Sequence, residues 1–440
     1  MNFHGSCQRG PALRHDENTP TMNIKLKLTS ELKLIPYLVA AALTASFASG
    51  FAAEARNLAT ASAAEPGNAG FSQQHYFARQ SAARDPFQPA HKLLGIPHDS
   101  GFPEGHDPYN GMGCASDGKI YYVLSADKYD IGARMFYFDP KKNQIKFVGD
   151  LTEACGEKDK KSIVQGKSHV NFVEAGGKLF FATHLGFYST VDGMEKMGIP
   201  PPGWSPYPGG HLLSYGLQTG TFEDYGLAPD HEGILAFNMD TNRARAFGLT
   251  WPSGVFFRFD HAKRDLKSFG RTCAFGEAGQ GANYRTVCRS IAVNPKDGSA
   301  WYSTSEGDLF HYRAESDSVE PVIGDNLRKD YFGIYDPASP GHMGYNWRQT
   351  LFRASDQMIY GVHGNSGYLF RFDPQREQIE VLERLTSKLS KASGMFDQFS
   401  YGYLGFGLAP DGKTIFYLSN RRTHLRKRAP PCGQSCHRHG

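Results

Sequence analysis

Two stretches of the chain decide the fold. The first is Phe247-Gly-Leu-Thr-Trp-Pro-Ser-Gly-Val-Phe-Phe-Arg-Phe-Asp260, and the second is Tyr360-Gly-Val-His-Gly-Asn-Ser-Gly-Tyr-Leu-Phe-Arg-Phe-Asp373. They align without a gap at an offset of 113 residues (247 to 360) and share two glycines and the closing Phe-Arg-Phe-Asp. Met135-Phe-Tyr-Phe-Asp139 is a third copy of that ending, and weaker copies lie at 213–215 and 310–312. Internal repetition of this kind indicates a repeat architecture.

A second recurring element, a tight turn followed by aromatic residues, precedes each copy. Clear examples begin at Asp117, Gly176, Asp297 and Asp411, and looser ones at Asn242 and Asp356. Asp-Gly between alternating apolar residues is a strong hairpin signal. The two recurring elements together predict four antiparallel strands per unit, labelled A to D, which is the pattern of a β-propeller blade. We count six A–B hairpins, the last without strands C and D, and predict an all-β propeller of six to eight blades. The alternative is an open β-sandwich array.

Composition agrees with a folded chain that is rich in turns. The 440 residues include 31 Phe, 22 Tyr, 49 Gly and 25 Pro, enough apolar surface for a core and many short strands. The net charge of +4 comes from the end of the chain. Residues 421–440 hold six Lys/Arg and no acid, which leaves 42 basic against 44 acidic residues elsewhere. A nucleic-acid binder would carry its basic face on the folded part, so no nucleic-acid partner is predicted.

The ends of the chain differ from its middle. A basic stretch from Met22, an apolar run over 34–47 and small residues after it have the layout of a secretory signal peptide. We therefore divide the chain into an extension with signal peptide (1–55), a lead-in with a possible closing strand (56–107), the propeller (108–420) and a basic tail (421–440). Export to the periplasm or the extracellular space follows, with no stable membrane span after cleavage. An uncleaved anchor is the alternative. Cys273 and Cys288 could form a disulfide there.

Counting from the turn glycines places polar residues on the opposite face of the blades. The residue seven positions after the turn glycine, or its equivalent, lies where strand B ends, and it is polar in every unit: Ser125, His184, Thr250, Ser305, His363 and Ser419. Slots near the start of strand A include Asn110, His169, Ser290 and Arg348, with Tyr109, Arg289 and Tyr403 beside them. Three further residues lie in the loops that lead from strand D of one blade to strand A of the next: His231, Glu232 and Tyr401. Repeat proteins gather binding residues on one face, so this mouth is the predicted functional site.

An enlarged loop over 188–214, containing Trp204 and His211, could form a wall beside the mouth. Each single residue also has a structural interpretation. A lone histidine can cap a strand, an arginine can pair with a carboxylate such as Glu232, and the aromatic residues can pack between blades. The convergence of several such groups, rather than any one of them, supports a site.

Imidazole, guanidinium and phenol groups suit β-elimination on an acidic sugar. An arginine or a bound metal would neutralise the uronate carboxylate and stabilise the enolate. One His or Tyr would take the C5 proton, and another would protonate the leaving oxygen. Glycoside hydrolysis would need a pair of carboxylates, and the predicted mouth offers only Glu232 and Asp230.

The sequence Lys167-Ser-His169-Val-Asn, followed by Gly177-Lys-Leu-Phe-Phe-Ala-Thr-His184, resembles the paired-histidine blades of propeller polysaccharide lyases of the oligogalacturonate and ulvan type. The resemblance covers about one blade. It implies catalysis by histidines, a tyrosine and an arginine, with an acidic polysaccharide or oligosaccharide as substrate and a bound metal ion. His169 and His184 match by motif position. Tyr188 and Arg289 are further catalytic candidates, and substrate contacts are assigned to Arg348, Trp204, Tyr401 and Tyr403.

Imidazoles also bind divalent metals. His231 and His363 are the metal candidates, together with His169 and His184, for an ion such as zinc, manganese or calcium that is either catalytic or structural. The rival to an enzyme is a non-catalytic secreted propeller that binds a glycan or a protein through the same His/Arg/Tyr mouth. Propellers serve many functions, so the fold alone does not decide between these readings.

Overall fold

The computed structural model describes residues 96–330, 343–364, 366–385 and 405–418. These residues form five antiparallel sheets of four strands and two separate hairpins, with little helix. The predicted all-β propeller fold is confirmed, and the sheets are its blades. All six predicted A–B hairpins are present, and the sixth is seen as a hairpin alone.

The blades follow one another along the chain. Blade 1 consists of β1 (Met112–Cys114), β2 (Ile120–Leu124), β3 (Arg134–Asp139) and β4 (Gln144–Asp150). Blade 2 consists of β5 (Val173–Ala175), β6 (Lys178–Ala182), β9 (His211–Gly216) and β10 (Phe222–Leu227), with the hairpin β7 (Tyr188–Val191) and β8 (Met194–Met197) inserted between its strands B and C. Blade 3 consists of β11 (Gly233–Asp240), β12 (Arg245–Trp251), β13 (Val255–Asp260) and β14 (Asp265–Arg271).

The later blades repeat this order. Blade 4 consists of β15 (Ala292–Asn294), β16 (Ser299–Ser303), β17 (Leu309–Arg313) and β18 (Ser318–Pro321). Blade 5 consists of β19 (Trp347–Arg353), β20 (Met358–His363), β21 (Tyr368–Asp373) and β22 (Gln378–Arg384), and the last hairpin is β23 (Gly405–Leu408) and β24 (Ile415–Leu418). One short α-helix, α1 (Leu151–Ala154), follows blade 1, and 3₁₀ turns lie at Pro229–His231, Gly276–Ala278 and Gly281–Asn283.

The Asp-Gly turns form for a local reason. In the three clear copies that begin with an aspartate, its side chain accepts the backbone N–H two residues later, at 3.0 Å for Asp117, 2.8 Å for Asp297 and 2.8 Å for Asp411. The following glycine has a positive φ, for example 82° at Gly118. An Asx turn completed by a left-handed glycine closes the hairpin without steric cost.

The glycines shared by the two long repeats lie under aromatic rings. Gly248 pairs with Phe257 across β12 and β13, and Gly361 pairs with Phe370 across β20 and β21. A Cβ at either glycine would lie 2.2 Å or 2.4 Å from the Cζ of the facing ring. The absent side chain therefore lets the phenylalanine lie flat on the neighbouring strand.

Aromatic contacts join neighbouring blades, and most buried side chains belong to two large core clusters. Ring centroids of Tyr121 and Tyr215 lie 5.8 Å apart between blades 1 and 2. Those of Phe256 and Tyr302 lie 4.5 Å apart between blades 3 and 4. The indole of Trp347, fully buried, donates to the Ser290 carbonyl at 2.8 Å between blades 4 and 5. Such contacts set the angle at which one blade stacks on the next.

Several sequence-based predictions concern segments at the ends of the chain. The signal peptide, the tail, Tyr401 and Tyr403 lie outside the described residues. The described part of the lead-in, 96–107, contains no strand. The described segments include no helix with the length and apolar character that crossing a bilayer requires. Cys273 and Cys288 are buried thiols, so the disulfide considered above is not formed.

Candidate functional site

The candidate site is built from polar residues near the starts of the A strands. A cavity of about 80 Å³ lies between the starting segments of strand A in five blades. Its polar lining comes from Asn110, His169, Asn171, Asn238, Arg289, Ser290, Gln349 and Thr350. Two of the predicted catalytic residues, His169 and Arg289, therefore reach one cavity from different blades.

His169 is held as a neutral imidazole with a lone pair on Nε2. Its Nδ1 lies 2.9 Å from the Leu235 carbonyl oxygen, which can only accept, so Nδ1 carries the proton. Burial, followed by the positive charges of Lys167 and Arg289, holds the pKa of His169 well below its usual value. At neutral pH its Nε2 is thus an acceptor, and no described residue donates a hydrogen bond to it.

His184 is held in the opposite tautomer. The backbone N–H of Leu185 donates to its Nδ1 at 2.9 Å, so Nε2 carries the proton of the neutral ring. Burial and the charge of Lys167 lower the pKa of His184 as well. Gly233 packs against the ring, because a Cβ there would lie 2.1 Å from Nδ1. The His169 and His184 ring centroids are 5.9 Å apart, so a ring with an acceptor nitrogen neighbours a ring with a donor nitrogen.

Lys167 is a member of the site that the sequence analysis did not assign. Its backbone exchanges two hydrogen bonds with His184, at 2.9 and 2.7 Å, which fixes the two residues next to each other. Its Nζ lies 4.2 Å from the ring centroid of Tyr109 and 4.4 Å from that of Tyr188. Burial lowers the pKa of Lys167 to about 8. We call Tyr109, Lys167, His169, His184, Tyr188 and Trp251 the mouth cluster.

Tyr188 forms a wall of the mouth cluster. Its hydroxyl donates to the Leu185 carbonyl at 3.0 Å, and burial raises its pKa well above the usual value. Its ring packs on Trp251 at a centroid distance of 5.4 Å, and the Trp251 ring lies 5.5 Å from that of His184. A phenol that stays protonated and donates to the backbone is a poor base, so the geometry favours His169 over Tyr188 as proton acceptor.

Arg289 is anchored by a carboxylate. Its Nη1 lies 2.5 Å from Glu277 Oε1 and 2.7 Å from the Val287 carbonyl. Glu277 is itself buried, and its Oε2 accepts from the indole of Trp251 at 2.8 Å. The Lys196 ammonium on β8 donates to the Glu277 carbonyl at 2.7 Å, which fastens the inserted hairpin to the same turn. Much of the charge of Arg289 is therefore balanced within the protein.

The other predicted residues are distributed more widely. Arg348 is buried and acts electrostatically on His169. Trp204 packs edge-on against Tyr129 at 5.0 Å, outside the mouth cluster. His211, expected in the loop beside the mouth, is instead the first residue of the buried strand β9.

The two metal candidates are held by their neighbours. His231 is exposed and its Nδ1 donates to the Pro208 carbonyl at 2.9 Å. His363 is buried, with Nδ1 2.7 Å from Ser366 Oγ and Nε2 3.1 Å from the Gly344 carbonyl. Within the described segments no group of three or more His, Cys, Asp or Glu is placed to share an ion. The metal site therefore stays a prediction and enters no step below.

Comparison with known proteins adds only structural similarity. No family model and no curated protein matches the chain. Similar solved structures include a nidogen/laminin complex, with a TM-score of 0.38 and 5% identity over 63% of this chain and 82% of that chain. A candidate 6-phosphogluconolactonase from Bacteroides uniformis has a TM-score of 0.41 and 10% identity over 70% and 77%. A luciferin-regenerating enzyme has 0.36 and 9% over 63% and 76%. Similarities at this level carry no argument about function.

Proposed function

We propose that the protein is an exported polysaccharide lyase that cleaves uronate-containing glycans by β-elimination at the mouth cluster. The observation that carries this proposal is the pair of buried, neutral histidines in opposite tautomers. A ring that can accept a proton, next to a ring that can donate a hydrogen bond and in cationic surroundings, suits the removal of a proton next to a carboxylate.

The proposed reaction moves one proton and breaks one bond. His169 Nε2 takes the proton from C5 of the uronate, and the C–H electron pair becomes the C4–C5 double bond as the C4–oxygen bond breaks. His184 donates a hydrogen bond through Nε2 to the sugar and orients it. The imidazolium of His169 then returns its proton to the departing oxygen. We assign both transfers to His169, because a neutral His184 that gave up its proton would become an unstable imidazolate.

Hydrolysis by two carboxylates has less support. Glu232 accepts hydrogen bonds from the Thr250 hydroxyl at 2.6 Å and the Ser253 hydroxyl at 2.9 Å. Glu277 is committed to Arg289 and Trp251. A glycosidase needs one carboxyl group that can protonate the leaving oxygen and another that faces the sugar or a water. Both of these carboxylates are instead occupied by the fold.

The test is to incubate the purified protein with a panel of uronate-containing polysaccharides and follow the ultraviolet absorbance of the unsaturated product. The expected result is a rise with at least one polysaccharide, and parallel assays with a chelator test the metal prediction. A flat trace from a chain shown to be folded by circular dichroism contradicts the lyase proposal. Binding of the same glycans without product would favour the non-catalytic propeller, for which the aromatic walls Tyr109 and Tyr188 are suitable sugar-stacking surfaces.

Export rests on the sequence pattern of residues 22–55 alone. Expression in a Gram-negative host, followed by cell fractionation and N-terminal sequencing, tests it. The expected product is a periplasmic or secreted chain that begins near residues 50–55. A full-length chain retained in the cytoplasm would contradict it.

A further inference from the structure

The ammonium of Lys167 is a buried charge without a counter-ion in direct contact. The residue is only 4% exposed. Among the described residues none accepts a hydrogen bond from Nζ, and none forms an ion pair with it. The faces of Tyr109 and Tyr188 stabilise the charge only partly, because a cation–π contact is weaker than the cost of burying an unpaired ion.

The charged groups around Lys167 leave it positive. Glu195, Asp107 and Glu277 favour its charged form from a distance, and Arg289 opposes it. Glu277 is already bound to Arg289, so that pair contributes little net charge. Lys167 is therefore the cation of the mouth cluster that is best placed to receive an anion from a ligand.

Three nitrogens of the mouth cluster have no hydrogen-bond partner within the described part of the chain. They are Lys167 Nζ, His169 Nε2 and His184 Nε2. Of the three residues, His169 lines the cavity between the blades. The cluster therefore holds hydrogen-bonding groups that the fold itself does not use.

We propose that Lys167 binds the carboxylate of the ligand and so sets the preference of the protein for acidic over neutral sugars. This inference rests on the proposed function for its ligand class, and it assigns to Lys167 the charge-neutralising role that the sequence analysis gave to an arginine or a metal. A carboxylate between Lys167 and the two imidazoles would face an ammonium and the N–H of His184. The proton acceptor His169 would then lie beside the carbon that carries the carboxylate.

The test measures binding without chemistry. Galacturonate and glucuronate monosaccharides have no glycosidic bond to cleave, so their binding can be measured by ligand-observed NMR or calorimetry whether or not the protein is a lyase. The expected result is binding of the acids and at least tenfold weaker binding of their methyl esters, corresponding to the loss of one charge-assisted contact of about 1.5 kcal/mol or more. Lys167→Met should weaken the acids by the same factor and leave the esters unchanged.

The matched control is Lys178→Met, which removes an ammonium paired with Glu223 on the outer part of blade 2 and should change neither affinity. Lys167→Arg keeps the charge and serves if the methionine variant does not fold. Equal binding of acid and ester by the parent chain, no binding of either, or unchanged acid binding by Lys167→Met would each overturn the inference. Tight binding of the acids without elimination on polymers would contradict only the lyase proposal.

Discussion

Blade 2 holds two kinds of buried histidine, and their comparison shows what burial does to a titratable group. His169 and His184 lie at the mouth with backbone partners and a nearby ammonium, and they are neutral. His211 starts β9, with Nδ1 2.9 Å from Asp224 and Nε2 3.1 Å from Glu157. Although burial opposes its charge, hydrogen bonds led by that with Asp224 raise the pKa of His211 to about 11. The neighbours, rather than the depth, decide whether the ring is a reagent or a structural cation.

The largest effect we expect is on stability, at His211. His211→Leu removes the buried cation from the Glu157 carboxylate, whose side chain is 1% exposed, and leaves it only the exposed Lys160 ammonium at 3.6 Å. Breaking a buried pair from one side costs about 3–5 kcal/mol, so the free energy of unfolding in urea should fall by that amount. The control His231→Leu removes an exposed ring and should change it by less than about 0.5 kcal/mol. A His211 variant as stable as the control would remove the contrast between the two regions.

The second effect is on activity, at the mouth. His169→Gln removes the proposed base while its amide can still donate toward the Leu235 carbonyl, so the elimination rate should fall about 100-fold or more with little loss of stability. His311→Gln, which alters a ring stacked on Trp301 at 4.6 Å in blade 4, is the matched control and should keep full activity. A His169 variant that retains the parent rate would place the chemistry elsewhere.

The third prediction concerns the alkaline side of the stability profile. The folded-state pKa of His211 lies above its unfolded value of about 6.5, so its contribution is complete below that pH and is lost as the pH rises toward 11. One proton can change stability by at most about 1.4 kcal/mol per pH unit. The parent should therefore lose more stability than His211→Leu between neutral and alkaline pH, as measured by urea unfolding at each pH. Parallel profiles would show that His211 is not a stabilising cation.

The smallest effect is expected on the acidic side. The folded-state pKa values of His169 and His184 are depressed, so the unfolded chain binds protons that the folded chain does not, and stability falls as the pH drops below about 6.5. The double variant His169→Gln, His184→Gln should lose less stability than the parent between pH 6.5 and 5 in the same unfolding measurement. If the free energy of unfolding fell equally in both proteins between pH 6.5 and 5, the mouth histidines would not be neutral in the folded protein.

The sequence was a good guide wherever the physics is local. The Asp-Gly turns depend on an aspartate and the backbone two residues later, so hairpins and blades could be predicted from spacing. Counting from the turn along strands A and B then placed His169 near His184, because the start of strand A and the end of strand B lie at the same edge of the sheet.

What the sequence did not reveal depends on contacts between distant segments. Lys167 belongs to the site because its ammonium lies over the rings of Tyr109 and Tyr188, which come from other parts of the chain. The tautomer of His169 depends on the Leu235 carbonyl of the next blade. The pairing of Arg289 with Glu277 crosses a loop that has no repeat signal. Trp204 was assigned to the mouth from its place in a long loop, and a loop's length does not fix where its residues pack.

The glycine under the aromatic ring has a consequence for the history of the chain. Blades 3 and 5 use Gly248 with Phe257 and Gly361 with Phe370, whereas blades 1 and 4 place tyrosines in the same register slot, each stacked on its own phenylalanine. A tyrosine cannot replace either glycine until the facing ring has moved, and a glycine in place of the tyrosine leaves a gap that the ring must fill. The two positions can therefore change only together. Blades 3 and 5 carry the same paired state, as a duplicated two-blade segment would.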